Sequence, residues 1–405
     1  MVKREVKMID EKETERLISV VRSEIDLSSD PSEDEVKVLI AQTVYRETFE
    51  NNYSYKDRDN LVKIIFDSIR KLDVLQELIE DEEISEIMVN GYDRIFVEKR
   101  GNIFEWPKKF ASKEKLDDVI QQIVSSCNRA VNESEPIVDA RLPDGERVNI
   151  VLSPPAVIGP IMTIRRFPKE VFTMEKLIEN GSITGEAAEF LKSAVRSGYN
   201  CFVSGGTSSG KTTLLNVLSE YIPKGERVIT IEDSAELQIK SVENLVRLET
   251  RNSNSSGCAA ITIKDLIKTA LRMRPDWVIV GEVRGAEVAD MLQAMNTGHF
   301  SMSTGHANSS KDMITRLEAM YLQNAEIPLE SIRRQIASGI DIMIHLERGE
   351  NGIRRVTEIS EVTSDEDKSI VLRKIFDTET VGSKYVLKKV GELKDTYKME
   401  KRNEI

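Results

Sequence analysis

Cysteine is scarce in this chain. Its 405 residues include three, Cys127, Cys201 and Cys258, far apart and in no Cys-x-x-Cys pair. That argues against a disulfide framework or a zinc ribbon and fits a reducing compartment, the cytoplasm. Basic residues do not outnumber acidic ones: 57 Lys and Arg stand against 69 Asp and Glu, a formal net charge of −12. A broad nucleic-acid surface needs cations to neutralise phosphates, so no stable nucleic-acid binding is expected. No run approaches the roughly 20 apolar residues that span a bilayer. The opening MVKREVKMIDEKETER has no apolar core of the kind a signal peptide carries. Work at a membrane would then need recruitment by another component. Internal repeats and low-complexity tracts are lacking as well. What is present, with 40% hydrophobic residues, is a globular chain long enough for two or three domains.

The periodicity of apolar residues divides the chain. LISVVRSEI, VKVLIAQTVYRETF and LVKIIFDSIRKLDVL space them three and four apart, which predicts a helical bundle or arm over residues 1–75. Asp30-Pro31 and Ser32 supply turn and cap chemistry for its second helix. Over 76–167, EIMVN, RIFVEK and NIFEW predict strands, with KRGN as a hairpin turn. A helix from Lys113 to Val131 follows, then strands RVNIVL and IMTIRRF, giving a small α+β domain. Residues 168–184 are expected to be a linker. From 185 to 350 strand and helix alternate, which implies a parallel sheet covered on both faces. Residues 351–405 predict an antiparallel β extension and a polar, mobile tail.

One segment carries a specific chemistry. GGTSSGKT, from Gly205 to Thr212, fits the phosphate-binding pattern G-x-x-x-x-G-K-[ST]. The loop must turn tightly so that backbone N–H groups point inward at phosphate oxygens, which favours Gly205, Gly206, Thr207, Ser208, Ser209 and Gly210. Lys211 can reach the β- and γ-phosphates of ATP and the Thr212 hydroxyl can ligate Mg²⁺. Thr213 follows on a helix whose positive dipole end faces the anion. A Gly/Ser turn of no consequence is a weak alternative, because the apolar strand NCFVS precedes it and a helix follows.

Two more strands end in carboxylates. VITI runs into Glu232-Asp233 and WVIV into Gly281-Glu282. Ligands of open parallel sheets bind beyond the carboxyl ends of strands. Acids there can hold Mg²⁺ through water and orient an attacking water. A single such acid would be an ordinary strand-end cap; two beside a phosphate loop favour chemistry. Two of the three histidines, His299 and His306, bracket the strand FSMST. Seven extended residues cover roughly 23 Å, so the pair cannot share a metal. His306 is expected at the nucleotide end of the sheet and His299 at the far end, in packing or a subunit contact.

These residues resemble the traffic ATPases of type II and type IV secretion systems, and within them the CpaF-type ATPases of tight-adherence pilus assembly. The Walker A loop GGTSSGKTT, the Asp box ITIEDSAEL, the Walker B segment LRMRPDWVIVGEVRG and the His box STGHANS carry the resemblance, which runs from about Leu75 to Glu347. It implies a RecA-like P-loop ATPase domain (class α/β) with a smaller α+β N-terminal domain. It further implies a homo-hexamer under an inner-membrane platform protein, using ATP and Mg²⁺. By motif, Glu282 would activate water, Glu232 and Asp233 would lie near Mg²⁺ and His306 would sense the γ-phosphate. Arg147 in DGERVN and Arg165 and Arg166 in TIRR would close over the phosphates. Gly305 stands where similar sequences carry an aliphatic residue. The function implied is a motor that powers pilus assembly or protein secretion; alternatives are a conjugative ATPase, a DNA-translocating RecA-like enzyme and a nucleotide-dependent switch.

Overall fold

The computed structural model describes residues 11–25, 32–49, 53–99, 101–127, 129–142, 145–166, 172–251, 259–323, 326–349, 352–365, 367–381 and 384–403. The chain divides into two compact units, Met1–Lys169 and Glu170–Ile405.

The first unit begins with three helices, α1 (Glu11–Glu24), α2 (Glu33–Glu47) and α3 (Tyr55–Arg70). Ser32 caps α2: its main-chain N–H donates to the Glu35 carboxylate at 2.8 Å and its hydroxyl accepts from the Glu35 N–H. Ser54 and Asp57 repeat this reciprocal box on α3, so two otherwise orphaned donors are satisfied at each helix start. Leu17, Val21, Ile40, Val44, Leu61 and Ile65 close the bundle. The turn residues Asp30-Pro31 lie outside the described residues. After α4 (Gln76–Glu80) come β1 (Ile84–Asn90), β2 (Ile95–Lys99), β3 (Asn102–Trp106), α5 (Lys113–Ser126), β4 (Ile137–Arg141), β5 (Arg147–Val151) and β6 (Ile161–Arg165). The strands pair antiparallel in the order β3-β2-β1-β6-β5-β4. Alternate residues such as Ile87, Val89, Val148, Ile150 and Ile164 pack onto Leu116, Ile120 and Ile123 of α5. The helix expected from Lys113 to Val131 ends earlier, at Ser126. Strand β4 had no sequence signal, because as an edge strand it buries no residue fully.

The second unit holds α6 (Met174–Glu179), α7 (Gly185–Arg196), β7 (Cys201–Gly205), α8 (Lys211–Ser219), β8 (Arg227–Glu232), β9 (Asn244–Glu249), α9 (Ile263–Ala270), β10 (Trp277–Val280), α10 (Val288–Asn296), β11 (Phe300–His306), α11 (Ser310–Leu322), α12 (Leu329–Gly339), β12 (Ile342–Arg348), β13 (Arg354–Ser364), β14 (Ile370–Val381), β15 (Lys384–Lys389) and α13 (Tyr397–Asn403). All nine strands form one sheet in the order β15-β14-β13-β12-β7-β11-β10-β8-β9. The run from β12 to β9 is parallel, and β13 to β15 are antiparallel. Apolar clusters cover both faces, which is why WVIV and FSMST show no alternation.

Three expectations are corrected here. Of the supposed linker 168–184, residues 168–171 lie outside the described residues. The remainder carries α6, capped by Thr173, and buries Met174, Leu177 and Ile183 in the core of the second unit. Position 350 is no border, because β12 pairs with β7 on one side and β13 on the other. The tail is docked rather than loose. Leu393 and Met399 pack on the core, the Tyr199 hydroxyl donates to the Asp395 carbonyl at 2.7 Å, and the Lys398 ammonium stands 2.6 Å from the Asp341 carboxylate. Burial pushes that carboxyl up from its ordinary range, and Lys398 works against the rise. Of the three cysteines, Cys201 is buried in the sheet, with its thiol pushed up to about 12 by burial. Cys127 is partly buried, and Cys258 lies outside the described residues.

Candidate active site

The conformation of the GGTSSGKT loop follows from local chemistry. Strand β7 is buried throughout, and the chain must reverse between its end and the start of α8. Ser208 (φ 57) and Gly210 (φ 96) sit in the left-handed region, where glycine is favoured because it has no Cβ. Lys211 opens α8 and is itself 7% exposed. Its ammonium donates to the carbonyls of Gly205 at 3.1 Å and Gly206 at 2.8 Å. Burial lowers its pKa, and Glu282 opposes that shift.

Parallel strands place their carboxyl ends side by side. His306 is in register with Gly205 across β11 and β7. Its Nδ1 lies 3.3 Å from the Lys211 ammonium, and its Nε2 lies 2.9 Å from Glu282 Oε1. Burial holds the imidazole below its ordinary pKa, with Glu282 opposing and Lys211 adding to the fall. A neutral ring that accepts from Lys211 at Nδ1 must carry its proton on Nε2, facing Glu282. The other Glu282 oxygen accepts from Arg284 at 2.7 Å. Arg284 in turn stands 4.0 Å from Asp233. Lys211, His306, Glu282, Arg284 and Asp233 thus form one connected series across the ends of β7, β11, β10 and β8.

Glu232 ends β8 at 3% exposure. One oxygen accepts the N–H groups of Glu236 at 2.7 Å and Leu237 at 2.9 Å. Burial outweighs those bonds and pushes the carboxyl up to about 7. Gly281 lets it lie there, since a Cβ at that position would come within 2.9 Å of the Glu232 Cγ. Gly305 has a packing reason too: a side chain there would meet the Met313 sulfur at 2.9 Å and the Phe202 ring at 3.1 Å.

The donor set fits a phosphate with a divalent cation. Ser209 Oγ and Glu232 Oε1 are buried without a hydrogen-bond partner, beside a buried ammonium and the amino end of α8. No cluster of three His, Cys, Asp or Glu forms a metal site among the described residues. A Mg²⁺ ion would therefore rest on Thr212, phosphate oxygens and water, with Asp233 and Glu232 around it. Next to Gly210 and Thr213 opens a cavity of about 360 Å³, walled by Leu177, Ile183, Leu214, Leu346, Val356 and Arg354. A second cleft of about 450 Å³ borders Gly206, Thr207 and His306, with Asp312 and Arg316 on its far wall.

The sequence reading did not name Arg284; the Glu282-Val-Arg284 spacing was its only signal. It also gave no role to His345, which is buried on β12 with Nδ1 2.8 Å from the Ser204 hydroxyl. His299 lies outside β11 at the end of α10, 3.2 Å from the Thr297 hydroxyl and 3.3 Å from the Ala294 carbonyl.

The three arginines of the first unit do not behave alike. Arg147 and Arg165 are cross-strand partners, and Arg141 on β4 extends their row. Arg165 is exposed and Arg147 half-buried. Arg166 points the other way and is buried. Its guanidinium donates to the carbonyls of Asp81, Ile84 (3.1 Å) and Leu78 (3.4 Å) and lies 3.9 Å from Glu146. The expectation that Arg166 closes over phosphate is therefore corrected: side chains alternate along β6, so neighbours in sequence face opposite sides.

A family model described as Type II/IV secretion system protein matches residues 69–374. An uncharacterized protein of Methanocaldococcus jannaschii is 41% identical over 60% of this chain, a match that takes in 34% of that protein's length. Conjugal transfer protein TrbB of Rhizobium radiobacter is 32% identical, with 75% of this chain and 91% of that protein covered. Among solved structures, the pilus retraction motor PilT with bound ADP superposes with a TM-score of 0.53 at 20% identity, over 82% of this chain and 86% of that one. That likeness concerns the fold alone.

Proposed function

Because the chain belongs to the type II/IV secretion system protein family, we propose that it hydrolyses ATP with Mg²⁺ to drive pilus assembly of the tight-adherence kind or protein secretion. One observation carries this reading: the ends of four parallel strands bring Lys211, His306, Glu282 and Asp233 together beside a phosphate-sized loop. Lys211 and the loop from Gly205 to Thr213 bind phosphates, and Thr212 meets Mg²⁺. Glu282 accepts a proton from the attacking water, His306 stands between that carboxylate and Lys211, and Glu232 and Asp233 are the acids that would help hold the divalent cation. The apolar cavity beside Gly210 takes the base.

Arg147 and Arg165 are the candidates for phosphate contact, a contact type that can raise hydrolysis by roughly 10³. Met174 to Thr184 belong to the ATPase unit and are no part of a free connector. The working form is a homo-hexamer, held at the inner face of the cytoplasmic membrane by a platform protein. The proposed attachment is peripheral; no helix among the described residues is long and apolar enough to cross a membrane. A conjugative role is the second reading, favoured by the 32% identity to a conjugal transfer protein.

An ATPase assay on two variants tests the site. Lys211→Ala should lower turnover about a hundredfold or more, the scale of one charged transition-state contact. Glu282→Gln should keep ATP binding and lose most hydrolysis. Near wild-type rates in both would refute the assignment. Turnover per chain that stays constant with protein concentration would speak against a ring.

A further inference from the structure

We propose that Arg284 is a positioning residue for the Glu282 carboxylate, an arm that ties the end of β10 to the end of β8. The inference rests on the reading of this site as a nucleotide hydrolase. The main chain of Arg284 is pinned: its N–H donates to Glu287 Oε1 at 2.5 Å, and the Gly285 N–H donates to the same oxygen at 2.8 Å. Only the side chain is left to adjust. It spans from Glu282 Oε2 at 2.7 Å to Asp233 Oδ2 at 4.0 Å, and the planar guanidinium suits two acceptors at once.

A glutamate side chain has three torsions, and a group that must meet an incoming water gains from losing that freedom in advance. His306 Nε2 stands 2.9 Å from one oxygen of Glu282 without a hydrogen bond to it, whereas Arg284 donates to the other, so Arg284 supplies the directed contact that sets the carboxylate plane. The same cation also lies between two carboxylates, Glu282 and Asp233, whose mutual repulsion would otherwise turn one of them away. Little else depends on this side chain. It is 63% exposed, against 19% for Glu282, so its loss removes orientation and almost no packing.

The test is steady-state ATP hydrolysis by the full chain with Arg284→Ala and Arg284→Lys, alongside binding of a fluorescent ATP analogue and thermal unfolding. In Arg284→Ala, kcat should fall about tenfold, or ~1.4 kcal/mol in the barrier. KM for ATP, analogue affinity and Tm should stay within about twofold or a degree or two of wild type. Lysine, a single donor on a flexible stem, should recover part of the loss. Wild-type kcat in Arg284→Ala overturns the inference, as does a matching loss of analogue binding. A rise in kcat also overturns it, since the arginine would then restrain Glu282. Wild-type turnover separates the layers: a chain that hydrolyses ATP and ignores Arg284→Ala sinks this inference alone. A wild-type chain without hydrolysis sinks the reading of the site with it.

Discussion

Replacing Glu232 by Gln should make the protein more stable, and by an amount that grows with pH. The carboxyl sits at 3% exposure and is pushed from 4.5 up to about 7 by burial. Between those two values the folded chain keeps a proton that the unfolded chain has released. Stability therefore falls as the pH rises through that window and levels off above it. A displacement of that size corresponds to roughly 3 kcal/mol. Gln never ionises, and its carbonyl oxygen still accepts the N–H groups of Glu236 and Leu237 that one glutamate oxygen accepts now. At pH 4.5 variant and wild type should unfold within a degree or two of each other. At pH 8.5 the variant should lead by roughly 6–12 °C, at about 2–4 °C per kcal/mol for a unit of this size. The assay is differential scanning fluorimetry of both proteins across that range. Mg²⁺ with a non-hydrolysable ATP analogue brings positive charge to the carboxylate and should flatten the wild-type slope. A gap independent of pH, or one that closes as the pH rises, would refute the reasoning.

Arg166→Ala should destabilise the first unit by about 2–4 kcal/mol, because it leaves Glu146 and three carbonyls buried without their cation. Arg165→Ala, one residue away and exposed, should leave Tm unchanged and lower only ATP turnover; urea unfolding and an ATPase assay separate the two. Lys398→Ala strands the Asp341 carboxylate and should cost about 1–3 kcal/mol, with Asp341→Asn in the same chain restoring most of it in the same urea titration. His306→Ala should slow hydrolysis strongly, whereas His299→Ala should act on Tm alone; equal catalytic defects in two folded variants would contradict the strand argument.

Much of this protein was legible from its sequence, for definable reasons. A phosphate loop needs a fixed order of small residues and a lysine between a strand and a helix, and GGTSSGKT supplies that order in eight consecutive positions. That Glu232, Glu282 and His306 fall side by side was legible because parallel strands align their carboxyl ends, so the last residues of apolar runs become neighbours. Ser32 announced a helix start by its cap chemistry, and the structure adds the reciprocal bond from Glu35. The tertiary structure alone decided what depends on partners distant in sequence. Arg165 and Arg166 look equivalent in TIRR, yet the pleat sends one outward and the other onto carbonyls some 80 residues earlier. Residues 174–184 look like a connector and lie against the sheet core, because burial of Leu177 and Ile183 needs a surface built mostly later in the chain. The polar tail docks because Asp341, Tyr199 and the core around Met399 wait for it, 57 residues and more upstream of Lys398 in the case of Asp341. Local pattern fixes what a segment can form; contacts across the sheet decide which of its faces is used and what it is used for.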